Sequence, residues 1–386
     1  MTDRAYVPLP FLSTNLTGEV GVENLAVNPD ETDPRTATID LGLTARPRAA
    51  TAIMSLGEVL VLTDPVTSTG FLQIIAESDN SLTNISFPTG SSAASTDGVV
   101  YDPNNNTALV SMSTVPLTCT GNCTGVSVFD VASQTFGPLL NLANPVDNFG
   151  LDSAAGVPMA SSDPITPNLY APDISVPAAC QFSDGNLTDL DADPEGVAVD
   201  PTTHIWVVGN FLSPQATVLN LNGATYSPGI NCMLNEAGTP PNSVNHESSA
   251  SENMSGVAIN PVTHEALLTA ESAEEVTLLT LPSNPVEQLT EADVESVTSS
   301  IPDDPSGNPF VASTAPYAVV MDSCHNRGYV LDNDRDFLVQ IDLDLLKNHP
   351  DEIAKPLKSG HCAGTTTPFA CTNGHGITYF PLPGVN

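Results

Sequence analysis

A chain of 386 residues, 40% of them hydrophobic, has enough apolar side chain for a sizeable core, in two ordinary domains or one large repeat domain. Its 45 acidic and 9 basic residues leave a formal charge of −36, yet charged residues make up only 14%, so basic residues are scarce more than acidic ones are abundant. Such a field repels nucleic acid and anionic membranes and favours cations or basic partners, and no stretch approaches the roughly 20 apolar residues that span a bilayer.

Residues 1–20, "MTDRAYVPLPFLSTNLTGEV", show neither a helix period nor a signal-peptide core, so the sequence is expected to be cytoplasmic or a mature form. They read as a tail, or as a strand lent to a neighbouring subunit in self-assembly. The remainder, 21–386, reads as one domain of short strands bounded by Pro, Asn, Asp and Gly. "LAVN", ending at Asn28, and "TATIDLG" open it. Then come "ATAIMS", "VLTD" ending at Asp64 and "GFLQIIA", followed by "GVVYDP", "VSMS" ending at Ser113 and "GVSVFDV". "GVPMASSDP" and "YAPD", ending at Asp173, follow without a clear third strand.

The next two groups say nearly the same thing. "PEGVAVDPTTHIWVVGNF" (Pro194–Phe211) and "SGVAINPVTHEALLTAES" (Ser255–Ser272) share Gly-Val-Ala-aliphatic-Asp/Asn-Pro, then Thr-His, then an apolar run with a polar end at Asn210 or Glu271. "ATVLNLN" and "EVTLLTLP" supply their third strands. Asn284–Ser300, "NPVEQLTEADVESVTSS", has a helix-like period, and "IDLDLLKNH" is a weaker helix candidate. "YAVVMD", "YVLD" ending at Asp332 and "FLVQIDL" form the last full copy. "GHGITYFPLP" (Gly374–Pro383) is an inner strand without partners, while the first copy has partners without an inner strand.

A sheet of three or four short strands cannot bury both faces alone and must stack on others like itself; stacking twisted sheets around an axis closes a ring. The expected fold is therefore an all-β, seven-bladed β-propeller whose first blade is split between the two chain ends, or a six-bladed one if "YAPD" is a loop. The phrase "GVAVDPTTHIWVVGN…ATVLNLN" resembles the YVTN β-propeller repeat, whose tetrapeptide is occupied here by "VVGN", "LAVN" and "YVLD". That resemblance implies a secreted or surface-layer protein, and the same architecture also hosts lactonases, so it implies a fold more than a chemistry.

In a propeller the second-strand ends and the inner-strand entries meet on one face. The first set is Asn28, Asp64, Asp173, Asn210, Glu271 and Asp332; the second is Asp97, Glu195 and His375. Convergent carboxylate and amide oxygens suit Ca²⁺ or a cationic ligand, with Glu195, Asn210, Asp332 and Asp173 as candidate metal ligands. Asn or Asp at a strand end also caps turns, whereas neither a turn nor a core asks for Glu195. Asp189, Asp191 and Asp193, in "DGNLTDLDADPEG", form a second calcium candidate, although Pro194 replaces the glycine of a calcium-loop pattern. His204 and His264 recur in the turn after the inner strand, on the opposite face, as turn chemistry. No nucleophile elbow, P-loop or haem-attachment motif occurs.

Seven cysteines include two close pairs, Cys119/Cys123 and Cys362/Cys371, expected as small disulfide loops and hence as a sign of export. The function expected is an extracellular or surface structural or binding propeller, calcium-stabilised, with a protein, polysaccharide or cationic partner. The alternative is a metal-dependent lactonase-like hydrolase working at the channel mouth.

Overall fold

The computed structural model describes residues 4–9, 17–24, 35–43, 45–65, 71–88, 91–92, 98–114, 123–142, 146, 148–162, 168–173, 178–182, 194–220, 225–226, 234–235, 242–247, 253–286, 289–301, 316–332, 337–350, 354–356 and 378–380. These residues form an all-β β-propeller. Six sheets have four strands, one has five, and a separate pair joins Thr225–Tyr226 to Leu234–Asn235. All strand pairings are antiparallel.

From the inside outward, sheet I is Thr378–Phe380, Arg4–Leu9, Thr17–Asn24 and Arg35–Leu43. Sheet II is Ala45–Ile53, Glu58–Pro65, Phe71–Ala76 and Leu82–Ser86. Sheet III has Val99–Asp102 and Ser91–Ser92 sharing the inner position beside Thr107–Thr114, then Cys123–Asp130 and Thr135–Leu142. Sheet IV is Asn148–Asp152, Val157–Ser162, Asn168–Asp173 and Ala178–Phe182. Sheet V is Pro194–Asp200, Ile205–Asn210, Gln215–Asn220 and Asn242–Glu247. Sheet VI is Met254–Asn260, Glu265–Ala270, Glu275–Thr280 and Glu295–Ser300. Sheet VII is Pro316–Asp322, Arg327–Asp332, Phe337–Asp342 and Ala354–Pro356.

Second strands such as Ile205–Asn210 and Glu265–Ala270 are buried at every position, because a neighbouring sheet covers each face. The core is accordingly divided into clusters between successive sheets. Ile205, Val207 and Val218 meet Val257, Leu268 and Leu279 between V and VI. Leu267 and Leu278 meet Val330 and Ile341 between VI and VII. Ala5 and Val7 meet Tyr329 and Leu331, which joins sheet VII to sheet I. Thr378–Phe380 lies beside both Ala45–Ile53 and Pro316–Asp322.

Four local expectations are corrected. The described part of residues 1–20 is not a tail: Arg4–Leu9 runs between Thr17–Asn24 and Thr378–Phe380, Tyr6 is fully buried, and Arg4 Nη1 donates to Glu77 O at 3.0 Å. A strand committed to its own sheet is not lent to a neighbour. "RAYVPL", not "LAVN", is thus the second strand of sheet I, "TATIDLG" lies in its outermost strand, and Asn28 is outside the described residues. In sheet IV the inner strand is "NFGLD", the second "VPMASS" and the third "NLYAPD", so Asp173 ends a third strand. Asn284–Ser300 is not one helix. A capping box between Thr290 and Asp293 closes a single 3₁₀ turn, Glu291–Asp293, and the strand after it, Glu295–Ser300, joins the free edge of Glu275–Thr280. The weaker candidate is a helix, Leu343–Asn348, with Asp342 accepting from Leu345 N and with Leu343 and Leu346 buried.

Candidate binding mouth of the central channel

The inner strands of sheets II to VII enclose a cavity of about 410 Å³. Close packing around it depends on glycine at the strand entries. A Cβ on Gly196 would lie 2.4 Å from Ser255 O, and one on Gly256 would lie 2.4 Å from Tyr317 O. Neither glycine has a positive φ, so the requirement is the approach of the neighbouring backbone.

The same entries carry β-bulges. The pairing register slips between Pro47 and Ala49, Pro194 and Val197, Met254 and Val257, and Pro316 and Ala318. The residues within the slips are Arg48, Glu195 with Gly196, Ser255 with Gly256, and Tyr317. A bulge re-aims the side chain it carries, and bulges concentrate near functional sites. Of these, Glu195, Ser255 and Tyr317 bring polar side chains to the cavity lining.

Glu195 is the centre of that polar set. Tyr317 Oη donates to Glu195 Oε1 at 2.5 Å, crossing from sheet VII to sheet V over the entry of sheet VI. The Glu195 carbonyl accepts from Ser161 Oγ of sheet IV at 2.5 Å. Other second-strand hydroxyls act similarly. Gly98 N donates to Ser111 Oγ at 3.0 Å, and Gly256 N donates to Thr269 Oγ1 at 2.8 Å. Thr269 Oγ1 also donates to Tyr317 O at 2.7 Å, tying sheet VI to sheet VII. Sequence reading passed over Ser111, Ser161 and Thr269; the signal was a hydroxyl two residues before the polar strand end, as in Ser111 before Ser113 and Thr269 before Glu271.

The other expected site residues are not gathered around Glu195. Asn210 is fully buried, and its Nδ2 donates to Gln215 O at 2.9 Å and Thr217 Oγ1 at 3.0 Å within its own sheet, so it braces the strand end. Asp332 pairs by backbone with Pro316 and Phe337, Asp64 with Arg46, and Asp173 with Ala178; their side chains lie outside the described residues. Cys123 opens a strand of sheet III, and its side chain is likewise outside. Asp97, His375, Asp189, Asp191, Asp193, Cys119, Cys362 and Cys371 all lie outside the described residues. Among the described residues no three His, Cys, Asp or Glu side chains group as a metal site.

The opposite face has its own recurrent chemistry. Each of five inner strands ends in a buried Asp102, Asp152, Asp200, Asn260 or Asp322. Asp200 Oδ1 accepts from Thr202 N at 2.8 Å and Thr202 Oγ1 at 2.6 Å, closing its own turn. Its Oδ2 meets His264 Nδ1 of sheet VI at 2.6 Å, and Asp152 Oδ2 meets His204 Nδ1 of sheet V at 2.5 Å. Asn260 Nδ2 donates to Asn326 Oδ1 of sheet VII at 2.8 Å. His204 and His264 have φ of 60° and 57°, the left-handed fourth turn position that Asn106, Gly156 and Asn326 also hold. Turn chemistry is therefore the right account of these histidines, and the reach to the preceding sheet is an addition to it. Burial works to raise the Asp200 pKa, but the bonds from His264 and Thr202 outweigh it and hold the carboxyl below its ordinary value.

No family model and no curated protein sequence matches the chain. Solved structures do. A functionally unknown protein from Desulfotomaculum acetoxidans DSM 771 is similar at a TM-score of 0.58 and 11% identity, covering 97% of this chain and 98% of its own. Hydrazine synthase of Kuenenia stuttgartiensis is similar at 0.55 and 12% identity, covering 87% and 96%. The β-propeller domain of Cps50 (Swd1) from Myceliophteria thermophila is similar at 0.54 and 10% identity, covering 82% and 87%. Identities this low speak for the fold alone.

Proposed function

We propose that the chain is an exported binding propeller of seven blades, sheets I to VII, whose ligand occupies the central channel at the Glu195 level. Each inner strand follows the last in sequence, and Thr378–Phe380 lies between the inner strands of sheets VII and II, which supports a single ring; a ring of five blades would leave two sheets outside it. The observation that carries the binding reading is the channel itself. Of the described residues lining it, Glu195 and Tyr317 are the ionisable ones, and they are bonded to each other across the mouth. The occupant favoured by this lining and by the −36 charge is cationic, with a basic protein or a polysaccharide as the broader partner classes. Calcium stabilisation belongs to the same reading, through the acidic mouth or the Asp189, Asp191, Asp193 loop. Export is supported by the short cysteine spacings, with Cys362–Cys371 and Cys119–Cys123 as bridges; a loop of the first size is worth roughly 3 kcal/mol.

The test is a melting curve with calcium and with chelator, beside an assay on simple lactones. Calcium should raise the melting temperature, because a ligand bound only to the folded state stabilises it, and lactone turnover should be absent. Metal-dependent lactone hydrolysis that disappears in Glu195→Gln, at an unchanged melting temperature, would replace this reading with the hydrolase one.

A further inference from the structure

Each inner strand of sheets II to VII pairs on one edge with the second strand of its sheet, and among the described residues its other edge has no strand partner. An edge strand turns the N–H and C=O of alternate residues away from its partner, here toward the channel. Four of the described lining residues carry a polar side chain, Asn148, Glu195, Ser255 and Tyr317; the others are aliphatic residues, glycine, phenylalanine or methionine, yet the exposed wall is predominantly polar. What those four side chains do not supply is main chain. Such an edge alternates donors with acceptors and has no net charge, so a fitting occupant brings both kinds of group at close spacing. Within the channel a bare cation would satisfy the carbonyls and strand the N–H groups. An anion would meet Glu195 and the −36 field, and an apolar molecule would leave both sets unpaired.

We propose that the channel is the subsite for one sugar residue of a polysaccharide, carrying no negative charge, whose hydroxyls bond the inner-strand edges and the Glu195–Tyr317 pair. The proposal rests on the binding reading above and takes the polysaccharide from its partner classes. Each hydroxyl both donates and accepts, so a ring of them matches an alternating edge of N–H and C=O groups. The Tyr317 Oη bond to Glu195 at 2.5 Å, with the further interactions that both residues make, holds the pair in place before a ligand arrives and lowers the ordering cost of binding. The cavity, at about 410 Å³, lies within the size range of small-molecule sites. Two sources supply this chemistry: a neutral sugar, or an amino sugar whose ammonium the acidic field of the chain also attracts.

The experiment is titration calorimetry of the full chain with glucose, galactose, mannose, glucosamine, glucuronate and cyclohexanol. At least one of the first four should bind. Cyclohexanol, a ring of the same size with one hydroxyl, should not, because it leaves the polar wall unpaired. Glucuronate should bind about tenfold or more weaker than glucose or not at all, since its carboxylate meets Glu195 and the acidic field. Glucosamine binding tighter than the three neutral sugars identifies an amino sugar as the source, and weaker binding identifies a neutral one. Glu195→Gln should weaken the bound sugar about fivefold or more, the difference between a charged and a neutral acceptor. Val199→Phe, which adds bulk at a lining position of sheet V, should weaken it as well and keeps the test open if the first variant does not fold. Equal uptake of cyclohexanol and the sugars, glucuronate binding as tightly as glucose, or full sugar affinity in either folded variant would overturn the proposal. No sugar uptake by a chain that still gains stability from calcium would overturn it too, while leaving the binding propeller standing.

Discussion

Asp200 uses its two carboxylate oxygens for two different purposes, one closing the turn that follows it and one holding His264 of the next sheet. The second bond can be isolated by substitution. His264 has a φ of 57°, so alanine would add backbone strain, whereas glycine adopts that region freely and asparagine tolerates it. His264→Gly should cost about 1–3 kcal/mol, the penalty for leaving a buried acceptor without its partner. His264→Asn should cost less, because Asn326 reaches the preceding sheet from the same turn position. Urea unfolding of the two variants checks the order; equal losses would mean that the latch carries no energy. The pH dependence follows from the depressed Asp200 pKa. A carboxyl depressed by folding contributes stability that is complete above its unfolded value of about 4 and is lost as pH falls through the lower folded value. The stability gap between the wild-type chain and Asp200→Asn should therefore be constant near neutrality and shrink below about pH 4. A gap unchanged by acid would show that the charge of Asp200 is not what stabilises.

At the scale of elements, the inner strand is defined by what its neighbour permits. Gly196 has no room for a methyl group, with Ser255 O 2.4 Å from its ideal Cβ position, while Gly137 on an outer strand would meet Val128 O at an ordinary 3.4 Å. Gly196→Ala should destabilise by about 1–3 kcal/mol through overpacking against backbone. Gly137→Ala should stay within about 0.5 kcal/mol, as surface changes do. Similar melting temperatures for the two would contradict the close approach of sheets V and VI. The inner strand of sheet I makes a larger demand. Deleting 374–386 removes Thr378–Phe380 and exposes the inner edge of Arg4–Leu9. Losing a strand that joins both chain ends should cost several kcal/mol, comparable to the stability of a whole domain. A truncated chain that melts within a few degrees of the full one would argue against closure through the C-terminal strand.

For the whole molecule, charge is the governing quantity. With 45 acidic against 9 basic residues, self-repulsion works against the compact state, and screening should relieve it. The melting temperature should rise as sodium chloride is added over the range where the screening length falls from about 30 Å to about 8 Å. A fall over that range would mean that specific ion pairs outweigh the general repulsion. The apolar clusters between sheets are indifferent to salt at these concentrations, so the slope reports the balance between the general field and the specific ion pairs.

The sequence by itself determined that this chain repeats and that it is built from sheets. Each Gly-Val-Ala-aliphatic-Asp/Asn-Pro phrase encodes a strand through local alternation and a turn through the Asp or Asn that caps it, and both are short-range effects. It also singled out Glu195, because no short-range role asks for a carboxylate there. It misread sheet I and sheet IV, where "LAVN" and "YAPD" matched a pattern whose strands lie elsewhere in the chain. Only the tertiary structure decided those places. "RAYVPL" became a buried strand because Thr378–Phe380 flanks it from the far end of the chain, and "ESVTSS" became an edge strand because Glu275–Thr280 had an edge to pair. Tyr317 meets Glu195 across 122 positions of sequence, and Asp200 meets His264 across 64. Contacts between sheets depend on the rotation of one blade onto the next, which no local pattern encodes.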